Sequence, residues 1–244
     1  MVLTPEQMDI FFSNGFVVVS GIFSLAECHQ ASESIDRLVE RSLHEQREEF
    51  IYTTDGRLKR VIWAGGLEHE LLALGRDSKI TSVVSQLLGS KNIVHLINQV
   101  HLKWAGDGNF YPLHQDSSNR RYGTGLWRDV NGRGSYVQSI LAVEDVTAEN
   151  GGLLFIPESC RRGHLGLPFV EGVQTRTSEC HIEDAVPVSL RQGSMVFFGP
   201  YTIHGSLPNT NEHVQKLLIN GYASPGANRR EYLGCGKGEP LFVG

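Results

Sequence analysis

The sequence predicts a mainly β chain, a sandwich or barrel with helices packed against its outside. Two observations carry this. Helical patterns with start and stop signals fill the chain up to Gly89, and from Ile93 onward short β-branched and aromatic runs alternate with Gly/Asn/Pro turns. No internal repeat or low-complexity linker interrupts the 244 residues, a length suited to one substantial core, so a single domain over 1–244 is expected.

The elements follow in order. Thr4-Pro5-Glu6-Gln7 is a helix start: Thr4 caps, Pro5 suits the first turn, and Gln7 completes a capping box. That helix carries Met8, Phe11 and Phe12 on one side and stops at Asn14-Gly15, before a strand at Val17 to Val19. Ser24 and Glu27 form a second capping box, and the helix beyond aligns Ile35, Leu38, Val39 and Leu43 on one stripe. A third helix over Ile80 to Leu88 ends at Gly89. Strands are predicted at Ile93 to Trp104, Tyr136 to Val143, Gly152 to Ile156, Met195 to Phe198 and Leu217 to Tyr222.

Composition narrows the function classes. The net charge is −5 with no run of Lys/Arg, which argues against nucleic acid as a partner. The apolar stretch Phe16 to Val19 lacks the flanks of a secretory signal, and no run approaches the ~20 residues that span a bilayer, so a cytoplasmic protein is expected. Cys28, Cys160, Cys180 and Cys235 form no CxxC and no framework, consistent with free thiols. Cys180-His181 has no second pair at ligand spacing and reads as ordinary surface.

The chemistry begins at His114-Gln115-Asp116. In an extended segment, residues i and i+2 share a face, so an imidazole and a carboxylate converge there. These ligand types suit Fe(II) in a 2-His-1-carboxylate triad, which leaves open coordination positions. HxD alone is weak, and it needs a distal histidine beside another strand. His204 supplies it, in Tyr201-Thr202-Ile203-His204-Gly205-Ser206 just after the strand Gly193 to Phe198. Directly behind Asp116, the polar, glycine-rich segment Ser117 to Ser135 reads as a long loop, expected to act as a lid. Its Tyr122, Trp127 and Arg128 are expected to line the substrate pocket.

Several ordered motifs resemble the phytanoyl-CoA dioxygenase family of iron- and 2-oxoglutarate-dependent oxygenases. LTPEQMDIFFSNGFVVVSGIF (Leu3 to Phe23) resembles the opening helix and strand, and YPLHQD (Tyr111 to Asp116) the metal motif. ENGGLLFIPES (Glu149 to Ser159) resembles the segment before the family's PGSH, with Cys160 where His is usual. GSMVFFGPYTIHGSLPN (Gly193 to Asn209) resembles the distal-histidine segment. The resemblance implies a double-stranded β-helix, a jelly-roll of the cupin kind, holding Fe(II) through His114, Asp116 and His204. It implies 2-oxoglutarate as co-substrate, whose oxidative decarboxylation to succinate and CO2 powers attack on a substrate C–H bond. Halogenating relatives are expected to carry a small residue at the carboxylate position, so Asp116 points to hydroxylation, desaturation or rearrangement.

One position departs from the family. An arginine eleven residues after the distal histidine is expected to pair with the co-substrate's distal carboxylate, and here that residue is Gln215. Lys216 is adjacent, but strand alternation points it to the opposite face. Ser206 matches the family's hydroxyl contact, while Gln99 and Arg60 align with other co-substrate contacts, and Arg60 is expected to supply the missing cation. The expected partners are a small-molecule substrate, plausible in specialised metabolism, and O2, for a monomer or homodimer. Two alternatives stand beside this reading: an iron oxygenase that does not use 2-oxoglutarate, and a non-catalytic jelly-roll partner subunit.

Overall fold

A computed structural model describes residues 2–106, 108–170 and 172–244. In chain order the elements are α1 (Pro5–Asn14), β1 (Phe16–Val19), α2 (Leu25–Ser42), β2 (Phe50–Tyr52), β3 (Leu58–Val61), α3 (His69–Arg76) and α4 (Ser78–Leu88). There follow β4 (Asn92–Lys103), β5 (Tyr111–His114), the single turn α5 (Asp116–Asn119), β6 (Tyr136–Ala142) and β7 (Leu153–Phe155). β8 (Val186–Val188), β9 (Met195–Phe198), β10 (His204–Ser206), β11 (Gln215–Ala223) and β12 (Glu239–Phe242) complete the chain.

Both predicted capping boxes form. The Thr4 side chain accepts from Gln7 N, and that of Ser24 accepts from Glu27 N, each satisfying an orphan amide of the first turn. Gly15 closes α1 in the left-handed region at φ 91°, which glycine adopts without a Cβ penalty. Phe11, Ile35 and Leu38 are buried as the helical stripes require. Leu43 is not part of the stripe: it sits at the C-cap of α2 and is 73% exposed. Phe12 likewise lies at the surface. α3 has no counterpart in the sequence reading, because Asp77, which caps α4, separates the two helices with no loop between them.

The strands form two antiparallel sheets. The larger runs β1-β9-β6-β11-β4-β3-β2, with β12 beside the first half of β4, and the smaller runs β5-β10-β7-β8. They face each other as a double-stranded β-helix, the jelly-roll expected. β11 is buried at every residue because both of its faces are covered. Leu218 and Tyr222 point outward into the core shared with α2 and α4, while Leu217 and Ile219 point inward with Phe155 and Leu153. Lys216 also points outward, where Nζ bonds Ser32 Oγ and Asp36 Oδ2, both at 2.8 Å. Among the described residues, no helix is long and apolar enough to cross a membrane.

Candidate metal centre and cavity

The jelly-roll brings the sequence's three candidate ligands together. β10 lies between β5 and β7, with His204 in register with His114 and Ser206 in register with Tyr111. Gly205 permits this approach, since a Cβ there would stand 2.6 Å from Tyr111 O. The Asp116 side chain follows from an extended Gln115 at the start of α5. Ligand atoms of His114, Asp116 and His204 lie within 4.8 Å of one another, and the imidazole rings are 4.3 Å apart. No other such group occurs among the described residues.

The donor set fits a divalent metal. His114 Nδ1 donates to Pro112 O at 2.8 Å and His204 Nδ1 to Thr202 O at 3.0 Å. A carbonyl can only accept, so each Nδ1 carries its proton and each Nε2 presents a lone pair. Burial, then the neighbouring His204, pushes His114 down to about 4, which keeps that imidazole neutral and ready to ligate. Asp116 Oδ2 is buried and has no hydrogen-bond partner among the described residues, a costly arrangement that a bound cation would relieve. Phe198 and Phe169 approach the two histidine rings at 4.4 and 5.2 Å and make the rim apolar.

These ligands open on a cavity of about 210 Å³. Its floor is the inner face of β4 and β11, where Ile97, Gln99, His101 and Lys103 alternate inward along one strand and Ile219, Leu217 and Gln215 along the other. Gln99, Arg60, Ser206 and Gln215 all line it. Arg60, however, lies on β3, where its register partner is His101. The cation beside Gln215 is Lys103, its register partner on β4. Gly151 has both for neighbours: a Cβ there would stand 2.6 Å from Lys103 Cδ and 3.4 Å from Gln215 Nε2. Lys103 Nζ donates to Ser206 Oγ at 2.6 Å and to Gly151 O at 3.1 Å. Lys103 was legible in principle, since alternation from Gln99 through residue 101 leads to residue 103.

The segment Ser117 to Ser135 departs from the expectation placed on it. Tyr122 and Trp127 do not line the cavity. They stack at 5.3 Å and are buried in a separate apolar cluster with Leu96, Tyr136 and Ala227. Tyr122 Oη and Trp127 Nε1 both donate to Gly134 O. Arg128 is exposed, its backbone amide bonded to Ala227 O at 2.8 Å. Aromatic burial outcompetes solvent exposure here, and the segment is fastened to the barrel rather than poised over it. What it gives the cavity is its first turn: Asn119 and Arg120, with Arg120 four residues after Asp116.

A jelly-roll with a His-Asp-His group at the mouth of such a cavity is the arrangement of a non-haem iron oxygenase. The profile of the phytanoyl-CoA dioxygenase (PhyH) family matches residues 11–216, and the chain belongs to that family. It is 25% identical over 235 residues to a methylphosphonate hydroxylase of Gimesia maris, covering 94% of this chain and 85% of that protein. A phytanoyl-CoA dioxygenase of Arabidopsis thaliana is 27% identical over 252 residues, with 85% and 84% covered. The fold is similar to that of EvdO2 from Micromonospora carbonacea var. aurantiaca, solved with 2-oxoglutarate: TM-score 0.74 at 22% identity, covering 92% and 93% of the two chains.

Proposed function

We propose that this chain oxidises a C–H bond of a small organic molecule in the cavity, with the co-substrate's distal carboxylate held by Lys103 and Ser206 in place of the family's arginine. The observation that carries this reading is the register pairing of Lys103 with Gln215. It returns a cation to the place the arginine side chain would otherwise reach, from the neighbouring strand. His114, Asp116 and His204 would hold Fe(II), and the bound metal supplies activation of O2 at the expense of 2-oxoglutarate, giving oxidised substrate, succinate and CO2. The chain's own residues do the rest. The Ser206 hydroxyl and Lys103 orient the co-substrate along the cavity, and Ile140, Leu153, Phe169, Leu217 and Ile219 exclude water from the reacting centre.

The relatives named above act on chemically unlike molecules, a phosphonate and a thioester, so the family does not transfer a substrate. An intact ligand set with an open cavity favours turnover over a non-catalytic subunit. Adding Fe(II) and 2-oxoglutarate without oxygen should produce the weak visible charge-transfer band of the chelate. A wild-type protein that binds Fe(II) yet shows no band at millimolar 2-oxoglutarate would contradict the reading in favour of an iron oxygenase with a different co-substrate.

A further inference from the structure

Besides Lys103 and Arg60, the cavity carries a third cation, Arg120, at the end remote from Lys103. Arg120 is only 8% exposed, and its Nε and Nη1 atoms are buried with no hydrogen-bond partner among the described residues. The guanidinium lies between two aromatic rings, 5.2 Å from the centroids of both Tyr136 and Tyr232. The Tyr232 hydroxyl is itself buried and unpartnered among the described residues. Tyr136 Oη donates to Gln138 Oε1 at 2.6 Å, and Gln138 and Ile97 line the same end of the cavity.

Position along the sheet separates Arg120 from Lys103. Ile97 and Lys103 lie on one strand, and the six steps between them correspond to roughly 20 Å. The metal ligands sit between these ends. Ser206, two residues beyond His204, reaches Lys103, whereas the turn beyond Asp116 leads to Arg120. A co-substrate that chelates the metal and extends to Lys103 leaves the Arg120 side of the metal for the molecule to be oxidised. The tyrosine faces satisfy part of the guanidinium's charge but leave Nε and Nη1 without acceptors, and a buried charged donor without an acceptor is costly. An incoming oxyanion would complement the charge and supply an acceptor.

We infer that Arg120 anchors an oxyanion group of the substrate, a carboxylate or a phosphonate, and so holds the adjacent C–H bond toward the metal. This rests on the reading of the cavity as an iron and 2-oxoglutarate site. The substrate class is therefore a small organic acid, short enough to share the cavity with the co-substrate. Arg120 contacts the substrate and takes no part in moving protons.

The test uses protein loaded with Fe(II) and 2-oxoglutarate under anaerobic conditions, titrated calorimetrically with three probes. Methylphosphonate and acetate are small oxyanions with an adjacent C–H bond, and acetamide is the uncharged counterpart of acetate. Wild type should bind at least one oxyanion and ignore acetamide, and the preferred anion identifies the phosphonate or the carboxylate as the source. Arg120→Gln should weaken that binding at least about tenfold, the loss of a charge-assisted contact, and Arg120→Lys should recover part of it. The chelate band should persist in both variants with unchanged 2-oxoglutarate affinity, which also certifies that they fold. The inference is overturned if Arg120→Gln binds the anion as wild type does, or if wild type binds neither anion. It is also overturned if Arg120→Gln loses the chelate band while Arg120→Lys keeps it, which would assign Arg120 to the co-substrate. Absence of the band from wild type would instead sink the oxygenase reading, and this inference with it.

Discussion

The two ends of the cavity are both cationic and are built in opposite ways. Lys103 is held by Ser206 Oγ and the carbonyls of Gly151 and Leu207, so its direction is fixed before any ligand arrives. Arg120 is held by ring faces, with Nε and Nη1 left open. A fixed point charge suits a co-substrate that is always the same molecule. A guanidinium whose Nε and Nη1 lack acceptors suits a ligand that brings an anionic acceptor with it. The contrast teaches that charge alone does not locate a site; the count of satisfied donors separates a positioned cation from one awaiting a partner.

The largest effect should come from removing the metal that divides the two ends. Loss of a group that merely orients a metal ligand costs ~10–100-fold in affinity, and loss of the ligand itself exceeds that. His204→Ala should therefore abolish both Fe(II) retention and the chelate band while leaving oxyanion binding at Arg120 measurable. Stoichiometric Fe(II) in that variant would remove His204 from the site. A smaller effect, confined to one end, should follow Trp127→Ala. Trp127 packs edge-on against Tyr136, at 5.9 Å, beneath Arg120. Truncation should lower unfolding stability by about 3–5 kcal/mol and loosen the Arg120 end, with 2-oxoglutarate affinity unchanged. Wild-type stability in this variant would mean that the aromatic cluster is not the support described for that end.

The candidate metal site was legible in the sequence because its signals are short-range. A HxD triplet in extended backbone and a histidine following an apolar strand each fix a direction, and the jelly-roll needs only to bring two strands into register. The inward face of Lys103 follows from alternation along β4, but its role depends on which strand lies beside Gln215, a non-local pairing that no window of sequence contains. Arg120 was passed over for a related reason. The bulky Tyr122 and Trp127 drew attention as pocket residues, yet burying those rings against Leu96 and Ala227 outweighs displaying them, and one turn of helix turns Arg120 inward instead. Arg60 reaches the cavity from β3, paired with His101 and not with Gln215. The short strands β2, β3, β8 and β12 carried no usable periodicity at three or four residues each.

The central claim is that a lysine on β4 replaces the family's arginine on β11. It is tested most directly by titrating the anaerobic Fe(II) chelate band with 2-oxoglutarate across a short series. Lys103→Met should weaken binding by roughly 10- to 150-fold, corresponding to about 1.5–3 kcal/mol for a charge-assisted contact, while Arg60→Ala and Gln215→Ala change it far less. Adding Gln215→Arg to Lys103→Met should restore much of the lost affinity, because it returns a cation across the same register pair and shows that the parent variant is folded. If Lys103→Met binds 2-oxoglutarate like wild type, or if Arg60→Ala proves the more damaging change, the distal carboxylate is held elsewhere and the account is wrong.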